Sequence, residues 1–239
     1  MSGLELKVKI CTPIPAVNIR ETLRMIQSAE VKGADIVEVR FDYMSLSEIM
    51  RGLDKLVDIV KCCSVPLIAT NRVIEQGGRC CLSEDQRLRT LIKAAEAGFT
   101  YVDVELTTRR LNEVVESVKN YGSKVIVSLH DFNHTPSILD MERIVKKQME
   151  AGADICKIIT MANNITDNIN CLIFTYEMSK KVDLICFAMG NRGLLSRVLS
   201  PLFGASFTYA SLEEGAETAP GQITIGELRE IYRRLGVEV

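Results

Sequence analysis

With 239 residues, 47% of them apolar, the chain can bury a sizeable core, and alternating α/β barrels reach this length as one unit. A net charge of −2, dispersed Lys and Arg and the absence of Trp exclude a basic, aromatic-studded surface for nucleic acid or a strong pull to membranes. No apolar stretch nears the ~20 residues that span a bilayer, and the N-terminal stretch lacks a signal peptide's apolar core, so a soluble, cytoplasmic protein is expected.

Short β-branched runs at 7–11, 35–40, 67–71, 101–106, 124–129, 154–160, 184–188 and 206–210 predict strands. Helical periodicities fill the segments 16–31, 46–62, 83–97, 108–121, 137–150, 165–180, 192–202 and 223–235 between and after them. Gly33, Gly98 and Gly152 each close a helix and precede a strand, where a glycine takes positive φ without steric cost. Thr135 and Pro136 read as an N-cap and the first helical residue. Eight such units without a Pro- or Gly-rich linker predict a closed (β/α)8 TIM barrel, one domain over residues 1–239. An open doubly wound sheet is the alternative, and no nucleotide fingerprint supports it. The weakest strand signal is the short run at 206–210.

Eight cysteines raise the question of disulfides or zinc. Cys62 with Cys63 and Cys80 with Cys81 are adjacent pairs, which suit neither a vicinal disulfide nor two ligands on one metal. Cys11, Cys156, Cys171 and Cys186 are isolated in apolar segments, and no C-x-x-C occurs. They read as small buried residues of a reduced, intracellular protein, with no metal.

Chemistry in such a barrel belongs to the C-terminal strand ends and their loops. Strand two sets Glu38, Arg40 and Asp42 on one face, either as an internal salt bridge or as a binding set. Strand three leads through Arg72, Glu75 and Gln76 to Gly77 and Gly78, a pair suited to a mobile loop that approaches a ligand closely. Strand four offers Asp103 and Glu105. Strand five ends at His130, held by the strand beside strand six, whereas His134 sits in a loop and suits a solvated or helix-start role.

Strand six carries Lys157 in the middle of an apolar run. Burial disfavours an ammonium, and the uncharged amine is the nucleophile that forms Schiff bases. The alternative is a strand-end lysine whose amine snorkels to water. After strand seven, Gly190 and Gly193 open a helix start able to bind an anion, and Arg197 can pair with a carboxylate. Thr218 and Gln222 flank a Pro220-Gly221 turn signal in the last loop.

Taken in order, Glu38, Arg40 and Asp42, Arg72 with Gly77 and Gly78, Asp103 and Glu105, Ser128 with His130 to Phe132, Lys157, Met189 and Gly190 through Arg197, and 219–222 cover nearly the whole chain. Together they resemble the type I 3-dehydroquinate dehydratases. The resemblance implies a (β/α)8 homodimer without metal or organic cofactor, acting on a small molecule in the shikimate pathway of aromatic amino acid biosynthesis. It implies dehydration of 3-dehydroquinate to 3-dehydroshikimate, with Lys157 attacking the C3 ketone and His130 as general acid and base. Arg197 would pair with the substrate carboxylate, while Glu38, Arg40, Arg72, Thr218 and Gln222 would hold hydroxyls and close the loops. Two positions depart from the family pattern: Gln76 stands where many members have a glutamate partnering the histidine, and Thr218 where they have serine.

The residues alone leave two other readings open. A lysine barrel of the aldolase kind would cleave a carbon–carbon bond, but a single G-x-x-G does not establish the phosphate clamp it needs. A catalytically dead barrel serving as a scaffold has no need of Lys157, His130 and Arg197 together.

Overall fold

The computed structural model describes residues 7–79 and 82–239, so Cys80 and Cys81 lie outside the described residues. Eight strands run β1 Ile10–Ile14, β2 Ile36–Arg40, β3 Leu67–Thr70, β4 Tyr101–Glu105, β5 Lys124–His130, β6 Ile155–Met161, β7 Leu184–Met189 and β8 Thr208–Tyr209. Between and after them lie α1 Ile19–Val31, α2 Leu46–Gly52, α3 Leu56–Lys61, α4 Glu84–Glu96, α5 Leu111–Asn120, α6 Ile138–Glu150, α7 Ile165–Met178, α8 Leu194–Leu199 and α9 Ile225–Arg234. All strand pairings are parallel, in the order β7-β6-β5-β4-β3-β2-β1-β8. The Ser206 amide donates to the Leu184 carbonyl at 2.8 Å across the remaining seam, so the sheet forms a nearly closed (β/α)8 TIM barrel.

Several expected boundaries move for identifiable reasons. The first strand lies three residues later than 7–11, because Pro13 is tolerated in it. Cys11 accepts from Ala210 of the β8 side, and strand alternation turns Pro13 to that same side, past the end of β8, where no donor is needed. The single helix expected at 46–62 is broken at Gly52, whose close packing leaves no room for a side chain: a Cβ there would lie 2.5 Å from Ile19 Cγ1. Pro201 likewise ends α8 in a short 3-10 turn, Ser200–Phe203.

The expected cap at Thr135 and Pro136 is incorrect. Ser137 caps α6, its hydroxyl accepting from the Asp140 amide, and Pro136 precedes the cap. The Thr135 hydroxyl instead donates to the Met161 carbonyl at 2.9 Å, tying the β5 loop to the end of β6. Gly33, Gly98 and Gly152 do adopt positive φ of 87°, 98° and 88° at their helix ends.

Alternation explains how a polar site sits in an apolar barrel. On the inward face, Ile36, Ile68, Ile126, Ile155, Ile185 and Phe207 form an apolar floor. One pleat higher along the same strands come Glu38, Thr70, Ser128, Lys157, Phe187 and Tyr209, all buried, with Asp103 supplied by β4. The outward faces, Val37, Val39, Val102, Val104, Val125 and Val127 among them, pack against the helices and build the largest core cluster.

Candidate active site

Lys157 is only 3% exposed, and its amine does not snorkel to water. Its Nζ donates to Asp103 Oδ2 at 2.8 Å and to the Tyr209 hydroxyl at 2.9 Å, with Glu38 Oε1 at 3.6 Å. Two carboxylates therefore flank the buried amine. Burial alone would push the Asp103 carboxyl up, but Arg72 and Lys157 together hold it well below the usual carboxylate range.

Asp103 links the lysine to a larger charged layer. Arg72 reaches Asp103 Oδ1 at 2.8 Å, Glu105 Oε1 at 2.9 Å and the Ser128 hydroxyl at 2.6 Å. Arg87 completes the row from α4, meeting Glu105 Oε2 at 2.6 Å. Glu38 accepts from Thr70 Oγ1 at 2.7 Å. Of the trio read from strand two, Arg40 and Asp42 form a bidentate pair at 2.8 Å each, while Glu38 turns to the lysine.

His130 ends β5 beside this layer, and its buried Nδ1 has no hydrogen-bond partner among the described residues. Burial, then the positive charges of Arg72 and Lys157, lower its basicity well below the ordinary histidine value. His134 is exposed and pairs with Asp131 at 3.2 Å, in keeping with a loop role. Gln76 is buried at the loop position in question. Its Oε1 accepts the His130 backbone amide at 2.9 Å and its Nε2 donates to Thr107 at 3.0 Å, so it grips the chain of His130 through the amide group. Glu75 is exposed and lines a neighbouring cleft with Glu84 and Arg109, a cleft that Gln76 and His130 also border.

Arg197, from α8, is 1% exposed and has no carboxylate partner among the described residues. Its Nη2 donates to the Pro220 carbonyl at 3.1 Å, its guanidinium carbon lies 4.6 Å from the centre of the Phe187 ring, and its Nε is unpartnered. Burial without a counter-charge lowers its pKa to about 10. A buried cation in this state is suited to receive an anion.

The surrounding glycines shape walls more than they bind. A Cβ on Gly77, at φ 81°, would strike the Phe132 ring, and one on Gly78 would strike the Arg72 carbonyl. Gly193 closes a turn onto the Gly190 carbonyl at 2.9 Å. The Gly190 amide donates to Pro220 O at 3.0 Å, docking the last loop there; within it Thr218 and Gln222 bond each other.

All eight predicted site residues, Glu38, Arg40, Arg72, His130, Lys157, Arg197, Thr218 and Gln222, line one cavity with about 470 Å³ of empty space, its open mouth included. Phe132, Phe187, Met189 and Tyr209 share it; the sequence marks Phe132 and Met189 only as parts of the family motifs and gives no sign of Phe187 or Tyr209 as site residues. Period-two alternation along 206–210 would have turned Tyr209 inward with Phe207, but nothing in the sequence measures its distance from Lys157.

Comparison with known proteins agrees with this geometry. The family model for Type I 3-dehydroquinase matches residues 10–238. A 3-dehydroquinate dehydratase of Dehalococcoides mccartyi is 41% identical over 209 residues, 87% of this chain and 89% of the relative. One from Methanosarcina mazei is 33% identical, over 94% of this chain and 95% of its own. The crystal structure of the Geobacillus kaustophilus 3-dehydroquinate dehydratase superposes with a TM-score of 0.89 at 27% identity, over 96% of this chain and 91% of the other. That of the Clostridium difficile type I enzyme, solved with covalently modified comenic acid, gives 0.84 at 29%, over 96% and 92%. The chain belongs to the type I 3-dehydroquinase family.

Proposed function

We infer that the chain performs the reaction of its family, dehydrating 3-dehydroquinate to 3-dehydroshikimate as a hydro-lyase, with Lys157 as nucleophile and His130 as acid and base. One observation carries the assignment of roles: a buried amine, an imidazole with an uncommitted ring nitrogen and a guanidinium without a counter-ion share one cavity.

The chemistry uses each of them. Lys157 loses a proton and attacks the C3 ketone, and the ketone oxygen leaves as water with two of the three original ammonium protons. The iminium that remains keeps one N–H and draws electrons from C2, so the C2–H becomes acidic and the nitrogen serves as the electron sink. His130, lowered in basicity and so neutral before substrate arrives, takes that proton. It returns a proton to the hydroxyl that departs from the neighbouring carbon, and water then releases the product. Arg197 pairs with the substrate carboxylate, while Glu38, Arg40, Arg72, Thr218 and Gln222 hold hydroxyls and walls. This route calls for no metal or organic cofactor. A relative carrying covalently modified comenic acid supports covalent chemistry in the fold.

The working unit is a cytoplasmic homodimer of one-domain subunits spanning residues 1–239. Ile165, Ile169, Ile173 and Tyr176 form an exposed apolar stripe along α7, which supports a subunit contact there. Among the described residues six cysteines are free thiols, four of them buried, which suits a reducing compartment. No helix among the described residues is long and apolar enough to cross a membrane. Ile169→Asp with Ile173→Asp is expected to halve the mass seen by light scattering; an unchanged dimer removes α7 from the interface.

Borohydride reduction in the presence of 3-dehydroquinate tests the activity. The expected result is a covalent adduct mapped to Lys157, absent from Lys157→Ala, which shows no turnover. His130→Ala keeps the adduct but turns over about 10²–10⁴-fold more slowly. No adduct and no absorbance from a conjugated product would reject the assignment.

A further inference from the structure

We propose that Tyr209 is a positioning residue for the nucleophile: its phenol oxygen, with Asp103, fixes two N–H directions of Lys157 so that the third faces the cavity. The inference rests on the assignment of Lys157 as the attacking amine.

An ammonium nitrogen has three N–H bonds, and attack needs the lone pair that replaces one of them to face the ketone. In the structure two directions are taken, by Asp103 Oδ2 at 2.8 Å and the Tyr209 oxygen at 2.9 Å. Among the described residues the amine's one further ion-pair partner, Glu38 Oε1, lies at 3.6 Å, beyond hydrogen-bond reach and already accepting from Thr70. Glu38, Lys157 and Tyr209 all line the cavity, so the remaining direction opens onto the space a substrate would fill.

The phenol is built to accept from the amine. It is buried at the barrel centre, with its ring between Phe187 and Phe207 at centroid distances of 6.2 and 5.6 Å. Burial and the neighbouring Glu38 raise the phenol's pKa well above its ordinary value, so the proton stays in place. A phenylalanine would fill the same volume and leave one N–H of the amine unheld. The amine would then rotate between orientations of which only some present the lone pair to the cavity.

Tyr209→Phe tests this, with folding monitored by melting temperature and single-turnover imine formation by quenching into borohydride. The expected result is a fall of about tenfold in kcat and in the rate of adduct formation, the loss of one buried hydrogen bond, with KM within about twofold. The pH profile of adduct formation should also change, because the phenol oxygen binds the charged amine. Unchanged trapping rate and pH profile in a folded variant would overturn the role. A loss confined to stability, with the trapping rate of the folded fraction preserved, would overturn it as well. If the wild-type protein gives no adduct at Lys157, the assignment of the nucleophile fails instead, and the two failures are told apart.

Discussion

Arg72 and Arg197 are both buried and face one cavity from opposite sides of the barrel, one in the loop after β3 and the other following β7. Their surroundings differ completely. Arg72 meets Asp103, Glu105 and Ser128 within 2.9 Å, while Arg197 meets a carbonyl and the face of a phenyl ring. Where a buried cation is matched by carboxylates it holds the architecture. Where it is left unmatched, it costs stability and waits for a ligand's charge.

Methionine at each position separates the two roles. Arg197→Met is expected to cost about 2–5 kcal/mol of transition-state binding, roughly thirty- to several-thousand-fold in kcat/KM. The ligand-free protein should melt no lower, and even higher, because an unpaired buried charge has gone. Arg72→Met removes the cation that Asp103 and Glu105 share, leaving Asp103 with Lys157 and Glu105 with Arg87, and should lose about 3–5 kcal/mol of folding stability, read from urea unfolding. Equal losses of stability in both variants would break the contrast.

Acid provides a smaller and more graded test, and it acts on the Arg72 side. The Asp103 carboxyl is held below the usual range, so its contribution is full above the ordinary carboxylate pKa and is lost as pH falls through the native value. His130 is also depressed. Between its ordinary and native values the unfolded chain binds a proton that the native one refuses, so stability again declines with acid. The urea midpoint should therefore drop on acidification, beginning near the ordinary histidine range. The acid limb of turnover should lie below that range. A midpoint that rises with acid would contradict both directions.

Much of this was legible in the sequence because barrel strands obey a period of two. That rule set Glu38, Arg40 and Asp42 on one face, Lys157 stood out within an apolar run and His130 at a strand end, and the helix-end glycines at 33, 98 and 152 marked the joints. The order of motifs then supplied the family. What stayed hidden was partner choice. Asp42 pairs with Arg40 while Glu38 joins the lysine, a division set by the stagger between strands that alternation does not encode. Tyr209 was hidden for the same reason, since it meets Lys157 across the barrel, 52 residues away in sequence. The break at Gly52 depended on close packing, which composition does not reveal.

The docking of the last loop on Gly190 has a consequence for how wide the entrance stands. A methyl group on Gly221 would come within 2.3 Å of the Gly190 oxygen and 2.6 Å of its carbonyl carbon, both rigid backbone atoms. The loop carrying Thr218 and Gln222 lies as low as it does because two hydrogens stand where carbon would not fit. Lengthening that side chain by one atom would lift the rim and loosen Pro220 from Arg197, so the aperture and the setting of that guanidinium are tuned by the same empty space.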